Sequence, residues 1–346
     1  MIGILIMLAL PRLLVLSAAA LDLEAPAVPD SGADLMPGDT SSFGDALWEL
    51  AQTCLRNLYP DWQEAAAIGI ALVSAAVVLA VLGNLSAREK RMLDLAGAAA
   101  AAAIMLSKGN VLIRLAAQTI QDMTQYGKLL LPVMTAALAA QGGVTASAAL
   151  CAGTSRFGPL LSSLLSTVLL PCVYLFLAMA VTWAATGEKA VKQLRDLIKS
   201  VVSWCLKTLL TVFTTYMSIT GAVSGTTDAA VLKAAKVTIS SAVPVVGGIL
   251  SDASETVLVS AGLMKNSAGV YGILACLSVF LGPFLRIGVH YWVLKIAAVL
   301  CGVLSEGAVS SLAEDFSTAM GLLLAMTASV CVLLLVSTVC FMKGVA

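Results

Sequence analysis

Two carboxylates three residues apart, Asp252 and Glu255, stand in the block SSAVPVVGGILSDASETVL. On a helix that spacing puts both side chains on one face. Acids near membrane depth are costly and line ion or substrate paths. A structural role fits as well. Asp252 as N-cap with Glu255 at the third helical position makes an acidic capping box, opening a helix after the flexible Gly247-Gly248 pair. The two roles are compatible. Pro244, Gly247, Gly248, Asp252 and Glu255 are the candidate passage or gate.

A second group is basic. Lys189, Lys192, Arg195 and Lys199 are spaced 3, 3 and 4 apart and form one helical stripe. Ala190, Val191, Leu194, Leu197, Ile198 and Val201 fill much of the opposite face. This predicts a basic amphipathic helix on the cytoplasmic side. It reads either as an anchor at anionic lipid or as a dock for an acidic cytosolic partner.

Other chemistry is thin. No glycine-rich loop ends in Gly-Lys-Ser or Gly-Lys-Thr, so phosphate-loop ATP hydrolysis is excluded. The only histidine is His290, followed by Tyr291 and Trp292. A lone histidine makes no metal site, and no acid lies near it in sequence. It reads as an inner-interface residue. No nucleophile elbow occurs. The eight cysteines never form a CxxC pair. Most lie in apolar runs and read as small fillers, with no disulfide framework implied. No catalytic residue, metal ligand or cofactor is expected, and the chain does not read as an enzyme.

The elements that must position these groups are membrane helices. Of 346 residues 60% are apolar and 12% charged, with a mean hydropathy of +0.97. A soluble domain has roughly 45–50% apolar and about 25% charged residues. The net charge of zero is unevenly spread. Residues 21–64 hold nine acids and one base, and residues 65–346 hold eleven acids and eighteen bases. That asymmetry suggests two compartments.

Residues 1–20 end in Ala18-Ala19-Ala20 and read as a signal peptide. Residues 21–64 form an acidic extracytoplasmic leader. Its Pro- and Gly-rich part, 21–45, has the composition of a flexible segment. Trp48, Tyr59 and Trp62 suit the outer membrane interface. Residues 65–346 form a polytopic membrane domain. Windows of roughly 20 apolar residues fall at 65–86, 160–186, 207–224, 268–285, 287–304 and 319–342, with a weaker one at 91–107.

The expected fold is all-α, with about seven transmembrane helices plus re-entrant or broken segments. The positive-inside rule puts Arg88, Lys90, Arg91 and Lys189–Lys199 in the cytoplasm. Glu306, Glu314 and Asp315 then lie outside, the N-terminus outside and Lys343 inside. Parity holds only if 129–150, interrupted by Pro132 and Gln141-Gly142-Gly143, does not cross fully. Backbone broken at that depth implies a cavity. Pro132 and Pro171 recur as Pro244 and Pro283 at one common offset, a weak sign of an internal repeat of the transporter type.

The stretch AAKVTISSAVPVVGGILSDASETVLVSAGLMKNSAGVYG (234–272) has a familiar texture. So do LKTLLTVFTTYMSITGAVSG (206–225) and GPFLRI (282–287). Together they resemble the stage III sporulation protein AE family of endospore-forming bacteria, over most of residues 65–346. The resemblance implies a multispanning component, a permease or export gate, of the channel or secretion complex joining mother cell and forespore. It implies a place in the mother-cell membrane around the forespore. The implied partners are other proteins of the stage III sporulation A operon: the ATPase AA, the ring-forming AG and AH, and through AH the stage II sporulation protein Q. The alternatives are a self-sufficient secondary transporter of a small solute using Asp252 and Glu255, or a scaffold. The predicted spans are nearly uncharged, with Asp94, Lys207 and Lys295 near their ends, which favours a subunit over an ion-coupled pump.

Overall fold

The computed structural model describes the backbone of residues 26–37, 43–81, 87–140, 144–242, 247–304 and 307–343. It describes their side chains except at 87–91, 93–94, 140, 144–146, 218, 220–268 and 343. Among the described residues the secondary structure is all helical, with no strand. The helices are α1 (Asp30–Ala33), α2 (Phe43–Asn57), α3 (Tyr59–Val81), α4 (Ala87–Ala140), α5 (Val144–Leu164), α6 (Leu170–Thr186), α7 (Lys189–Ala242), α8 (Gly247–Leu304) and α9 (Ala308–Lys343). A π-turn, Leu165–Leu169, joins α5 to α6.

Six helical stretches are long and apolar enough to cross a bilayer. They are Tyr59–Val81, Leu95–Ala139, Ser147–Thr186, Lys189–Met217, Gly269–Leu304 and Ala308–Met342. The all-α polytopic expectation holds, with six such stretches among the described residues instead of about seven. The windows 268–285 and 287–304 belong to one helix. Gly269–Leu304 is 36 residues long, about 54 Å at 1.5 Å per residue. Pro283 lies inside it. A proline removes one helical hydrogen bond, yet the helix continues through Pro283. Likewise 91–107 and 129–140 are parts of α4, which runs through Pro132 without a break. The expected re-entrant segment 129–150 is therefore a helix end, an undescribed connection at 141–143, and the start of α5.

Pro171 is accommodated differently. The Leu170 amide donates to the Leu165 carbonyl, five residues back. Pro171 has no amide, and its ring would crowd the carbonyl four residues earlier. The wider π-turn makes room for it. At the offset of the internal repeat, Pro132 lies inside α4, whereas its counterpart Pro244 lies outside the described residues.

α9 is the central helix, packed on α4, α5, α7 and α8. It is apolar on nearly every side, as a buried helix must be, with Phe316, Met320, Leu323, Met326 and Phe341 in the core. Of the segment read as a flexible leader, residues 26–37 are docked on α8. Val28 and Met36 pack on the core. A Cβ on Gly32 would lie 2.7 Å from the Val279 amide nitrogen. Only glycine allows that approach. Helix α2 buries Ala46, Leu50 and Cys54, one residue per turn, and leaves Trp48 exposed. Tyr59 and Trp62, at the start of α3, are also exposed.

Candidate functional site

Gly187 sets up the first polar cluster. It ends α6 in the left-handed region (φ 69°), its amide donating to the Trp183 carbonyl at 2.8 Å. This is a common helix stop, because glycine has no Cβ to clash. The chain reverses at once into α7, and two turns later Arg195 lies beside α6 and α9. Arg195 Nη1 donates to Asp315 Oδ2 at 2.6 Å, and Nη2 to Asp196 Oδ1 at 2.9 Å. The guanidinium lies over the Trp183 ring, 4.7 Å from its centroid. Arg195 and Asp315 are both buried. Lys295 on α8 donates to Glu314 Oε1 at 2.9 Å.

These contacts correct two sequence expectations. Arg195 is not part of an exposed dock, since it is held inside the bundle. Lys189, Lys192 and Lys199 are exposed, but Lys192 and Lys199 line the same interior cavity as Arg195. The apolar face of α7 points outward instead: Leu194, Leu197, Val201 and Trp204 are exposed. In lipid an amphipathic helix turns its apolar face out and its polar face in, the reverse of its orientation in water. The second correction concerns sidedness. Lys189–Lys199 and Glu314–Asp315 cannot lie on opposite sides of a membrane when Arg195 and Asp315 are hydrogen-bonded.

A second ionic cluster joins α3, α4 and α8. Asp61 Oδ1 lies 2.6 Å from Arg286 Nε, and Glu64 is paired with Lys108. His290 is buried, with Nδ1 2.9 Å from the Arg286 carbonyl one turn back. The carbonyl accepts, so Nδ1 carries the proton. Nε2 is buried without a hydrogen-bond partner. It faces a cavity of only about 10 Å³, lined by Lys108, Gly109, Leu112 and Phe316 among others. No acid lies near His290 in sequence, but α3 brings Asp61 and Glu64 into its surroundings through Arg286 and Lys108. No sequence spacing announces this cluster, because the partners in each ion pair, Asp61–Arg286 and Glu64–Lys108, are more than 40 residues apart on different helices. The only hint was that each charge interrupts or borders an apolar window.

A cavity of about 570 Å³ opens between α4, α5 and α9. Thr124, Lys128, Pro132 and Thr135 line it from α4, Thr154, Gly158 and Pro159 from α5, and Leu333 and Leu334 from α9. Residues of segment 129–150 line this cavity, but α4 is unbroken at Pro132, so the cavity does not arise from the broken backbone that the sequence suggested. The wall is mostly apolar. Thr124 and Thr135 donate to carbonyls one turn back, and Thr154 donates to Ser337.

Pro244 and the side chains of Gly247, Gly248, Asp252 and Glu255 lie outside the described residues. Among the described residues no group of histidines, cysteines and acids could hold a metal ion.

Six apolar helical stretches and a core of long packed helices define a polytopic helical membrane protein. The chain belongs to the stage III sporulation protein AE family, whose profile matches residues 39–344. It is 29% identical over 215 residues to the stage III sporulation protein AE of Bacillus subtilis (strain 168). The match covers 60% of this chain and 52% of the relative, about half of the relative's length. No solved structure matches the chain.

Proposed function

We propose that this chain is the multispanning membrane component of the channel or secretion complex between mother cell and forespore, acting as its permease or export gate. The observation that carries the reading is the family match across residues 39–344. The interhelical cavity of about 570 Å³ supports a passage over a plain scaffold. The partners would be proteins AA, AG and AH of the stage III sporulation A operon, with the energy supplied by the ATPase AA. The membrane would be that of the mother cell around the forespore. Pro244, Gly247, Gly248, Asp252 and Glu255 remain the proposed gate. Lys189, Lys192 and Lys199 are the cations still available to a cytosolic partner.

The test is forespore-specific gene expression after engulfment, read beside protein level and co-purification with AA. Gly158 lines the cavity, and a Cβ there would meet nothing within 4 Å, so Gly158→Phe is the variant that would obstruct it. Expression should fall while level and assembly persist. Helix α8 starts at Gly247, so Asp252 is not its N-cap as the sequence suggested; Asp252→Asn and Glu255→Gln remove charge at nearly constant size and should also lower expression. Normal expression from all three variants overturns the permease reading. Failure to co-purify any operon partner overturns the subunit reading.

The ion pairs within the bundle favour a second reading, a self-sufficient secondary transporter, more than the sequence did. Ionisable groups on interior helix faces mark ion paths. The purified chain alone would then drive ion-coupled solute uptake into proteoliposomes, without the ATPase.

A further inference from the structure

We propose that the polar cavity between α6, α7 and α9 binds the phosphodiester headgroup of an anionic phospholipid. The cavity measures about 270 Å³ and is lined by Trp183, Lys192, Arg195, Lys199, Glu314 and Thr318, together with Asp196 and Asp315. The acids are already engaged. Arg195 holds Asp196 and Asp315, and Lys295 holds Glu314. Lys192 and Lys199 form no ion pair among the described residues. Lys192 instead lies 5.6 Å from the centroid of the Trp183 ring. The cavity wall with Lys295 therefore carries four positive and three negative charges. A phosphodiester with one negative charge brings that count to zero.

The surroundings point to a lipid as the source. The outer face of α7 beside the cavity exposes Leu194, Leu197, Val201 and Trp204. That face is a surface for acyl chains, adjoining a basic pocket for the headgroup. Basic pockets between membrane helices hold anionic headgroups in this way. Long lysine side chains suit it, because their stems cover apolar surface while the ammonium reaches the phosphate. The Thr318 hydroxyl, without a hydrogen bond among the described residues, is free to donate to a phosphate oxygen. A zwitterionic headgroup would return a positive charge and leave the excess in place.

The experiment uses the full chain purified in detergent, with lipid retention read by native mass spectrometry. Phosphatidylglycerol should be retained in preference to phosphatidylcholine. Lys192→Gln and Lys199→Gln should each weaken retention about fivefold, the value of one lysine at an anionic surface. Lys207→Gln, on the same helix but away from the cavity, should change nothing. Both cavity lysines are exposed, so folding is expected to survive, and an unchanged melting temperature would verify it. Unchanged retention in the Lys192→Gln/Lys199→Gln protein overturns the site. Displacement of phosphatidylglycerol by millimolar inorganic phosphate overturns the lipid assignment in favour of a soluble anion.

Discussion

Arg195 and Asp315 are the pair whose separation should cost the bundle most. Removing one partner of a buried ion pair leaves an uncompensated charge and costs about 3–5 kcal/mol. Replacing both with apolar residues is often neutral or stabilising. Arg195→Met and Asp315→Leu should therefore each lower the melting temperature and the membrane level sharply. The Arg195→Met/Asp315→Leu double variant should recover most of the loss. A double variant no more stable than the weaker single one would show that the pair contributes by packing, not by charge. The residue scale is also where the sequence misled most. The four basic residues of the stripe do lie on one helix, but Arg195 is buried while the three lysines are exposed. Which way the stripe points depends on whether the helix meets water or lipid on its other side, and spacing does not carry that information.

Helix length is the second scale. The windows 268–285 and 287–304 look like two spans because each is long enough to be one. Nothing between them carries turn chemistry except Gly282-Pro283 and Gly288, and none of these ends α8. The structure makes a direct prediction here. Ile287 is fully buried inside the helix, whereas a two-span reading would put it in the turn. In a Cys-less background, Ile287→Cys should resist a membrane-impermeant maleimide from both sides, while exposed Gln193→Cys reacts. Labelling at 287 would mean that the helix is interrupted. Helix existence was legible almost everywhere, because apolar windows and the Ala98–Ala103 run leave no other low-energy state in lipid. Continuity was not. A proline costs one hydrogen bond whether or not the chain turns there, and tertiary packing settles the outcome.

At the scale of the whole molecule, two ionic clusters tie distant helices together, Asp61–Arg286 and Glu64–Lys108 joining α3, α4 and α8, and Arg195–Asp315 joining α7 and α9. This gives a topological prediction. Single cysteines at Gln193 and Glu314 should be labelled from the same side of the membrane, since Arg195 and Asp315 are in contact. Labelling from opposite sides would contradict the packing of α7 on α9. Composition and apolar windows alone determined that this is a polytopic helical membrane protein, because burying a backbone in lipid demands helices. The familiar texture of stretches within 206–287 was enough to suggest the family. Which charges meet, which face of α7 looks inward, and whether 269–304 is one helix or two were decided only by tertiary structure. A long-range ion pair depends on two helices arriving side by side, and local sequence encodes each helix but not its neighbour.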